Sequence, residues 1–251
     1  MERTHGLTGT QLKLIAIVCM TIDHAALLFL PADSALSFLL RSIGRMTAPI
    51  MSFLLAEGVR HTHDLWRYLK RMLVFAAIAQ PVYFVMIYRR IPETAIEFAG
   101  TLDVLFSMAI AIVMIWLVSA LRARPRKKWM LYLTLVLCFL LTQFTDWKCM
   151  IPVWAMIFYF FRERPRARRL LYITTTVLLL LIEFLPMYPS FIAFSFQLCT
   201  LLALPLLGTY NGQRGGGNGK TARAVSRWTF YVYYPLHITV LVLVRAYLNS
   251  N

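Results

Sequence analysis

The chain alternates between long apolar runs and short polar gaps. The runs cover approximately residues 12–30, 36–57, 69–88, 102–121, 129–145, 150–161, 170–186, 190–208 and 228–248. Because an α-helix rises about 1.5 Å per residue, most of these runs can cross about 30 Å of hydrocarbon. The pattern predicts an all-α fold, a polytopic transmembrane helix bundle of about nine spans. We expect it to form a single domain over residues 1–251, with no separate soluble domain.

Two features leave the number of spans open. The sixth run, 150–161, is short for a membrane-spanning helix. Pro186 and Pro189 lie so close together between the seventh and eighth runs that these two runs could form one bent hairpin. Nine spans is the simplest count, and eight is the alternative.

Composition favours a lipid bilayer as the solvent. Hydrophobic residues make up 59% of the chain and charged residues 15%, too little polar surface for a soluble domain of this size. The first run contains Asp23 and His24, so we expect a retained helix and not a cleaved signal peptide. The net charge of +15 would indicate a nucleic-acid partner in a soluble protein. Here the basic residues fill the gaps between spans, so we expect lipid as the partner and no nucleic acid.

Basic residues cluster in alternate gaps. The gap after the second span contains Arg60, Arg67, Lys70 and Arg71, and similar clusters follow the fourth, sixth and eighth spans, the last with Arg214. The positive-inside rule places these gaps, and the N-terminus, in the cytoplasm. Nine spans would then put the C-terminus outside, and eight would return it to the cytoplasm.

A few ionisable side chains fall inside or at the ends of the apolar runs. They are Asp23, His24, Arg41, Arg45, Glu57, Asp103, Glu183 and His237. An ionised group at bilayer depth costs about 2.5–3.5 kcal/mol on insertion scales, so each must be paired, hydrated or functional. We expect Glu183, near a span end, to be solvated or interfacial.

Helical periodicity indicates which of these groups can meet. Arg41 and Arg45, followed by Ala48 or Pro49, Ser52 and Ala56, recur at near fourfold spacing on one face of the second span. We expect this face to pack on the first span, with Asp23 and Arg45 paired. The last span presents Tyr233, Tyr234 and His237 on a second polar face. These groups are either structural ion pairs and hydrogen bonds or a site where His24 and His237 act as general acid or base.

Two further patterns are less specific. His61 and His63 do not share a helix face, and no Cys or acidic cluster completes a ligand set, so no metal site is expected. His61, four residues beyond Glu57, could instead close the cytoplasmic mouth of a pocket. The glycine-rich segment 208–220 runs into GKT, but Arg214 stands where a Walker A motif needs its first glycine. A flexible loop is expected there.

Five blocks, in order, resemble the TraX family. They are LKLIAIVCMTIDH (12–24), IGRMTAPIMSFLLAEGVRHT (43–62), RYLKRMLVFAAIAQPVYF (67–84), LPLLGTYNGQRG (204–215) and FYVYYPLHITVL (230–241). The resemblance implies an integral protein of the bacterial inner membrane that acetylates the N-terminal amine of a pilin. It also implies acetyl-CoA as the donor and a membrane-embedded histidine, as in the wider group of integral-membrane acyltransferases.

The resemblance also implies roles for single residues. Those that stand where the family motif has them are Asp23, His24, Gly44, Arg45, Glu57, His61 and His237. Asp103 departs from the motif, which commonly has Asn there, so an amide-specific role at this position is not carried over.

From these residues we predict a site for direct acyl transfer. His24 would be the general base, Asp23 would hold Arg45, and Arg45 with His237 or Tyr234 would stabilise the thioester oxyanion. We expect the acceptor pocket to include Arg41, Glu57, Asp103 and Tyr234, and the CoA phosphates to be bound by Arg60, His61, Arg67, Arg71 and Arg214.

Three alternatives stay open at this stage. The acceptor could be a glycan or lipid hydroxyl in place of a pilin-like amine. The basic loops could bind anionic lipid in place of CoA. The buried charges could also belong to a proton-coupled transporter, although the first two spans lack the broken helices and inverted repeat typical of that class.

Overall fold

Helices make up most of the described chain. The computed structural model describes residues 6–94, 97–98, 100–122, 128–184, 191–217 and 219–250; the possible hairpin at Pro186 and Pro189 lies outside these ranges. Within them there is no β-strand, and the only strand-like pairings are two isolated bridges. The predicted all-α class is confirmed. In chain order the α-helices are α1 (Gly9–Phe29), α2 (Ala35–Gly44), α3 (Thr47–His61), α4 (Leu65–Tyr88), α5 (Val104–Arg122), α6 (Lys128–Thr142), α7 (Met150–Phe160), α8 (Pro165–Leu179), α9 (Phe191–Leu198), α10 (Ala203–Gly208) and α11 (Lys220–Ser250).

Five helical segments are long and apolar enough to cross a membrane. They are Gly9–Phe29, Ala35–His61, Leu65–Tyr88, Val104–Arg122 and Trp228–Ser250. Three of the other predicted runs contain shorter apolar helical segments, at Trp129–Thr142, Met150–Phe160 and Ser195–Gly208. Large apolar side chains stay exposed along the helices, including Leu14 and Val18 on α1, as expected where lipid covers the surface. The chain is a polytopic α-helical membrane protein, and the count of nine spans stays a prediction.

The helices group into two compact units. Residues 1–54 and 169–251 form the first unit, and residues 55–168 form the second. Within the first unit α1 packs on α2 and α11, and α9 contacts α2. Within the second, α5 packs against α4, α6 and α7. That both units belong to one transmembrane domain stays a prediction.

The predicted second span consists of two helices. α2 ends at Gly44 and α3 begins at Thr47, with Arg45 as the C-cap of α2. Pro49 lies in the first turn of α3, where a residue without a backbone N–H is tolerated. The regular helix is interrupted at Arg45 and Met46, and the expected polar face beyond Arg45 stays a prediction.

The first and last helices of the first unit run in the same direction. They touch at three successive levels through the pairs Thr21–Tyr233, His24–His237 and Leu28–Arg245. Because residue numbers increase together along both helices, α1 and α11 are parallel. If both cross the bilayer, the chain makes an odd number of crossings between its ends. This orientation fits nine spans and does not fit eight.

In the second unit a buried aspartate caps one helix and links it to another. Asp103 is fully buried, and its Oδ1 accepts from the backbone N–H groups of Leu105 (2.9 Å) and Phe106 (3.3 Å) at the start of α5. The Oε1 of Gln80 on α4 accepts from the backbone N–H of Asp103 at 2.9 Å. Asp103 thus serves as the N-terminal cap of α5 and ties α5 to α4.

Candidate functional site

A buried carboxylate binds two arginines in the first unit. The Nη2 of Arg45 donates to the Oδ2 of Asp23 at 2.5 Å, and the Nε of Arg41 lies 3.6 Å from the Oδ1. Asp23 is 7% exposed as a residue. The predicted pairing of Asp23 with Arg45 is confirmed, as a charge-assisted hydrogen bond. Arg41, beyond hydrogen-bond distance, makes a weaker ion pair with the same carboxylate.

A glycine allows this close approach. A Cβ added at Gly44 would lie 2.2 Å from the Cβ of Asp23 and 2.6 Å from its Cγ, closer than real Cβ atoms come. Only a residue without a side chain lets α2 approach α1 closely enough for Arg45 to reach Asp23. The close packing of α1 and α2 is thus the steric reason for a glycine at position 44, next to Arg45.

Replacing this glycine is expected to destabilise the fold. Gly44→Ala should lower the free energy of unfolding by about 1–3 kcal/mol, because the new methyl group overlaps Asp23 and overpacks the helix pair. The measurement is the thermal unfolding midpoint in detergent. Gly208→Ala is the matched control, since a Cβ at Gly208 would meet no atom within 4 Å. An unchanged midpoint for Gly44→Ala would show that α1 and α2 are not packed this closely.

One aromatic ring faces both arginines. The guanidinium carbons of Arg41 and Arg45 lie 4.9 Å and 4.7 Å from the ring centroid of Phe196 on α9. Such contacts stabilise a cation where water is excluded. Phe196 was missed by the sequence analysis, because a phenylalanine in an apolar run carries no pattern that separates it from lipid-facing neighbours.

Two histidines meet between α1 and α11. The Nδ1 of His24 lies 2.8 Å from the Nε2 of His237, and the two rings are nearly parallel, with an interplanar angle of 6° and centroids 5.0 Å apart. This nitrogen–nitrogen distance is a hydrogen bond and is too short for stacked carbon rings. The imidazoles therefore lie edge to edge, and His24 and His237 form one unit.

The backbone fixes which nitrogen carries each proton. The Nδ1 of His237 lies 2.9 Å from the carbonyl oxygen of Tyr233, which can only accept, so this nitrogen carries the hydrogen. In the neutral ring the Nε2 of His237 is then an acceptor, and the Nδ1 of His24 must donate to it. A neutral His24 consequently keeps the lone pair on its Nε2. The two hydrogen bonds therefore leave the Nε2 of a neutral His24 as the ring nitrogen that can accept a proton.

A hydroxyl pair supports the histidine pair one turn away. The hydroxyl of Thr21 donates to the carbonyl oxygen of Ile17 at 2.8 Å, so the hydroxyl of Tyr233 donates to the Oγ1 of Thr21 at 2.7 Å. The ring of Tyr233 also stacks on His237, with centroids 5.0 Å apart. Thr21 and Tyr233 therefore hold the two helices in register at the level of the imidazoles.

The arginine cluster and the histidine pair form one electrostatic site. Asp23, Arg45 and Arg41 all lie close enough for their charges to act on the ring of His24. Tyr234, predicted to line the acceptor pocket, is 1% exposed and packs against His237 with ring centroids 5.8 Å apart. The structure thus brings together six predicted residues, namely Asp23, His24, Arg41, Arg45, Tyr234 and His237.

Several predicted phosphate-binding residues belong to the second unit and have local partners there. Arg60 pairs with Glu163 at 3.5 Å and Arg67 with Asp64 at 2.9 Å. The guanidinium of Arg71 lies 5.8 Å from the ring centroid of Tyr68. Arg60 and Arg67 are thus partly neutralised by neighbouring carboxylates. Their role in phosphate binding stays a prediction.

Glu57 is the centre of a second buried ion pair. The Nε of Arg162 lies 3.4 Å from its Oε1, and the Nε2 of His61 lies 3.8 Å from its Oε2. The proximity of His61 to Glu57 follows the expected spacing of four residues on one helix face. Glu57 is buried and His61 is exposed, so the imidazole covers the carboxylate at the end of α3.

Glu183 is buried, so the expectation that it is solvated is wrong, and its position at the membrane interface stays a prediction. It is 9% exposed and lies in a π-helical turn, Leu180–Phe184, that follows α8. A π turn rotates the side chains relative to the α-helical periodicity. The position of Glu183 near the end of an apolar run could not reveal that rotation.

The fold and this site define an integral membrane protein with a buried, charged centre between its first, second and last helices. The family described as TraX protein matches residues 8–245. The chain therefore belongs to the TraX family, which confirms the resemblance. It is also 31% identical to a probable fimbrial assembly protein, FimC, of Dichelobacter nodosus, over 99% of this chain and 100% of that protein. No solved structure matches the chain.

Proposed function

We propose that the protein is an integral-membrane acetyltransferase that moves an acetyl group from acetyl-CoA to an amine, such as the N-terminus of a pilin-like protein. The observation that carries this proposal is the hydrogen-bonded pair of His24 and His237, whose orientation leaves the Nε2 of His24 as a base. The name of the related fimbrial assembly protein supports a pilin-like acceptor.

The proposed reaction is a direct transfer. The neutral amine attacks the thioester carbonyl carbon, a C–N bond forms and the C–S bond breaks. The Nε2 of His24 takes the proton that the amine loses and returns it to the departing thiolate. Since an α-amine has a pKa of about 8, a neutral imidazole needs only to remove the proton as attack proceeds. The carboxylate of Asp23, next in sequence to His24, favours the imidazolium that forms.

The two arginines divide their roles in this proposal. Arg45 hydrogen-bonds Asp23, so its charge is largely balanced in the resting site. Arg41 is held 3.6 Å from the carboxylate and its side chain is more exposed, 27% against 13% for Arg45. This difference favours Arg41 as the cation that meets the thioester oxyanion, with Arg45 positioning Asp23. The division departs from the sequence-based assignment of the oxyanion to Arg45.

We place the protein in the bacterial inner membrane with its N-terminus in the cytoplasm, where acetyl-CoA is available. The parallel contacts of α1 and α11 support a C-terminus on the opposite side. A C-terminal alkaline phosphatase fusion is expected to be active, and a C-terminal green fluorescent protein fusion to be dark. The same reporters fused after Arg164, in a predicted cytoplasmic gap, should give the reverse pattern. Matching patterns at both positions would contradict this topology.

The experiment that tests the function is incubation of membranes containing the protein with acetyl-labelled CoA, followed by identification of the labelled product. Label on a protein N-terminus is expected. Label on a glycan or lipid would keep the transferase and change the acceptor. If nothing is labelled while proteoliposomes show proton-coupled flux, the transporter alternative holds and the proposal is wrong.

A further inference from the structure

Two helices hold the arginine cluster through chemically different groups. On α1, Asp23 supplies a carboxylate, which Arg45 hydrogen-bonds at 2.5 Å and Arg41 approaches to 3.6 Å. On α9, Phe196 supplies a ring, whose centroid lies 4.7 Å from the guanidinium carbon of Arg45 and 4.9 Å from that of Arg41. Both distances are within the range of about 6 Å over which a cation is attracted to a ring face. One phenyl ring therefore contacts the cationic ends of both arginines.

The ring packs against a single face of α2. Phe38, Arg41 and Arg45 follow one another at spacings of three and four residues, so they lie on the same side of this helix. The ring centroid of Phe38 lies 6.3 Å from that of Phe196, with an angle of 52° between the ring planes. Tilted aromatic pairs of this kind are favourable. The position of the Phe196 ring is thus set by an aromatic contact as well as by the two guanidinium groups.

A ring acts on an arginine differently from a second carboxylate. The face of a phenyl ring attracts a guanidinium through its π electrons, but it offers no oxygen acceptor. A carboxylate would form short hydrogen bonds with the N–H groups and compete with any other anion for them. A guanidinium that is held by a ring therefore keeps its orientation and can still donate to an oxyanion.

This chemistry fits the role proposed for Arg41. The Nε of Arg41 lies beyond hydrogen-bond distance of Asp23, so the carboxylate attracts Arg41 without fixing the direction of its guanidinium. The ring of Phe196 adds a directional contact, because a cation is attracted to the face of a ring and not to its edge.

We propose that Phe196 is a positioning residue for acetyl transfer, whose ring orients the guanidinium of Arg41 for the thioester oxyanion and holds that of Arg45 beside Asp23. This inference rests on the proposed function and assigns a role in it to a residue that touches neither histidine. It implies that the electron density of the ring, and not only its volume, affects the chemical step.

The test replaces Phe196 with phenylalanines that carry one, two or three ring fluorines, introduced by suppression of an amber codon. Fluorine withdraws electron density from the ring face and changes the ring volume little, so the attraction to a guanidinium falls stepwise while packing is nearly kept. In the full-length protein, kcat for acetyl transfer should fall with each fluorine, by about tenfold for three, and KM for acetyl-CoA should stay within about twofold. Phe196→Leu, which removes the ring, should be about as slow as the trifluorinated protein.

The same fluorinated residues at Phe29 are the matched control. Phe29 is the last residue of α1 and is 39% exposed, so its ring electron density should not affect the site. We expect an unchanged kcat at every fluorine number there. Thermal midpoints in detergent, measured for both series, identify any loss of rate that is caused by misfolding.

Three results would overturn the inference, and they can be told apart. If kcat does not vary with fluorine number at Phe196 while Phe196→Leu is slow or unstable, the ring only packs. If KM rises at constant kcat, Phe196 contacts a substrate and does not position the arginines. If the wild-type protein transfers no acetyl group, the proposed function itself fails, and the role of Phe196 in it fails too.

Discussion

His24→Ala is expected to reduce acetyl transfer by about 10²–10⁴-fold, the contribution typical of a positioned general base. The loss should appear in kcat, because the alanine variant can still bind acetyl-CoA but cannot accept the proton of the attacking amine. The measurement is the initial rate of label transfer from acetyl-CoA by purified protein. His63→Ala, which removes an exposed histidine, is the control and should keep the wild-type rate.

A companion variant tests how His24 is oriented. His237→Phe removes the acceptor of the Nδ1 hydrogen of His24 and should lower kcat with little change in KM, whereas His237→Gln, whose amide oxygen can accept, should recover part of the rate. Wild-type activity in His24→Ala would exclude it as the base. Equal activity in His237→Phe and His237→Gln would instead show that the hydrogen bond between the two imidazoles does not matter for catalysis.

Asp23→Ala is expected to cause the largest loss of stability. It leaves Arg41 and Arg45 in a buried site without the carboxylate that both face, and breaking a buried ion pair by removing one partner costs about 3–5 kcal/mol. At about 2–4 °C per kcal/mol for a chain of this size, the thermal midpoint in detergent should fall by roughly 6–20 °C.

A double variant separates charge imbalance from lost packing. Asp23→Ala combined with Arg45→Met removes one charge of each sign and should recover much of the lost midpoint, since an apolar pair avoids the cost of burying ions. A double variant no more stable than Asp23→Ala would contradict the view that the unbalanced arginine causes the loss. The non-additive part of this cycle measures the coupling between Asp23 and Arg45.

The pairing of Asp23 with Arg45 could be predicted from sequence because a charged side chain within the membrane has few possible partners. A charged side chain inside an apolar run needs a partner of opposite sign, and consecutive spans joined by a short gap are neighbours. The break of the second span at Arg45 could not be predicted in the same way. The run from 36 to 57 stays apolar through the break, and hydropathy does not register where regular helical structure is interrupted.

The bond between His24 and His237 was only partly predictable. Periodicity placed His237 on a polar face of the last span, and His24 was selected only as an ionisable group inside the first apolar run. Their direct contact joins positions 213 residues apart. The same reason explains why Phe196 was missed. Its ring reaches Arg41 and Arg45 because α9 packs against α2 in the folded protein.

Hydropathy along the chain was enough to establish the class of the protein, an all-α membrane protein with a few ionisable groups among its spans. The free energy of moving apolar runs into lipid, and the high cost of moving charges there, depend on composition and order along the chain. Which of these groups meet depends on how the helices pack. In the folded protein Asp23, Arg41 and Arg45 form one cluster beside Phe196, His24 hydrogen-bonds His237, and α1 is parallel to α11. Those contacts depend on helix packing at a scale of a few ångströms, set by features such as the missing side chain of Gly44.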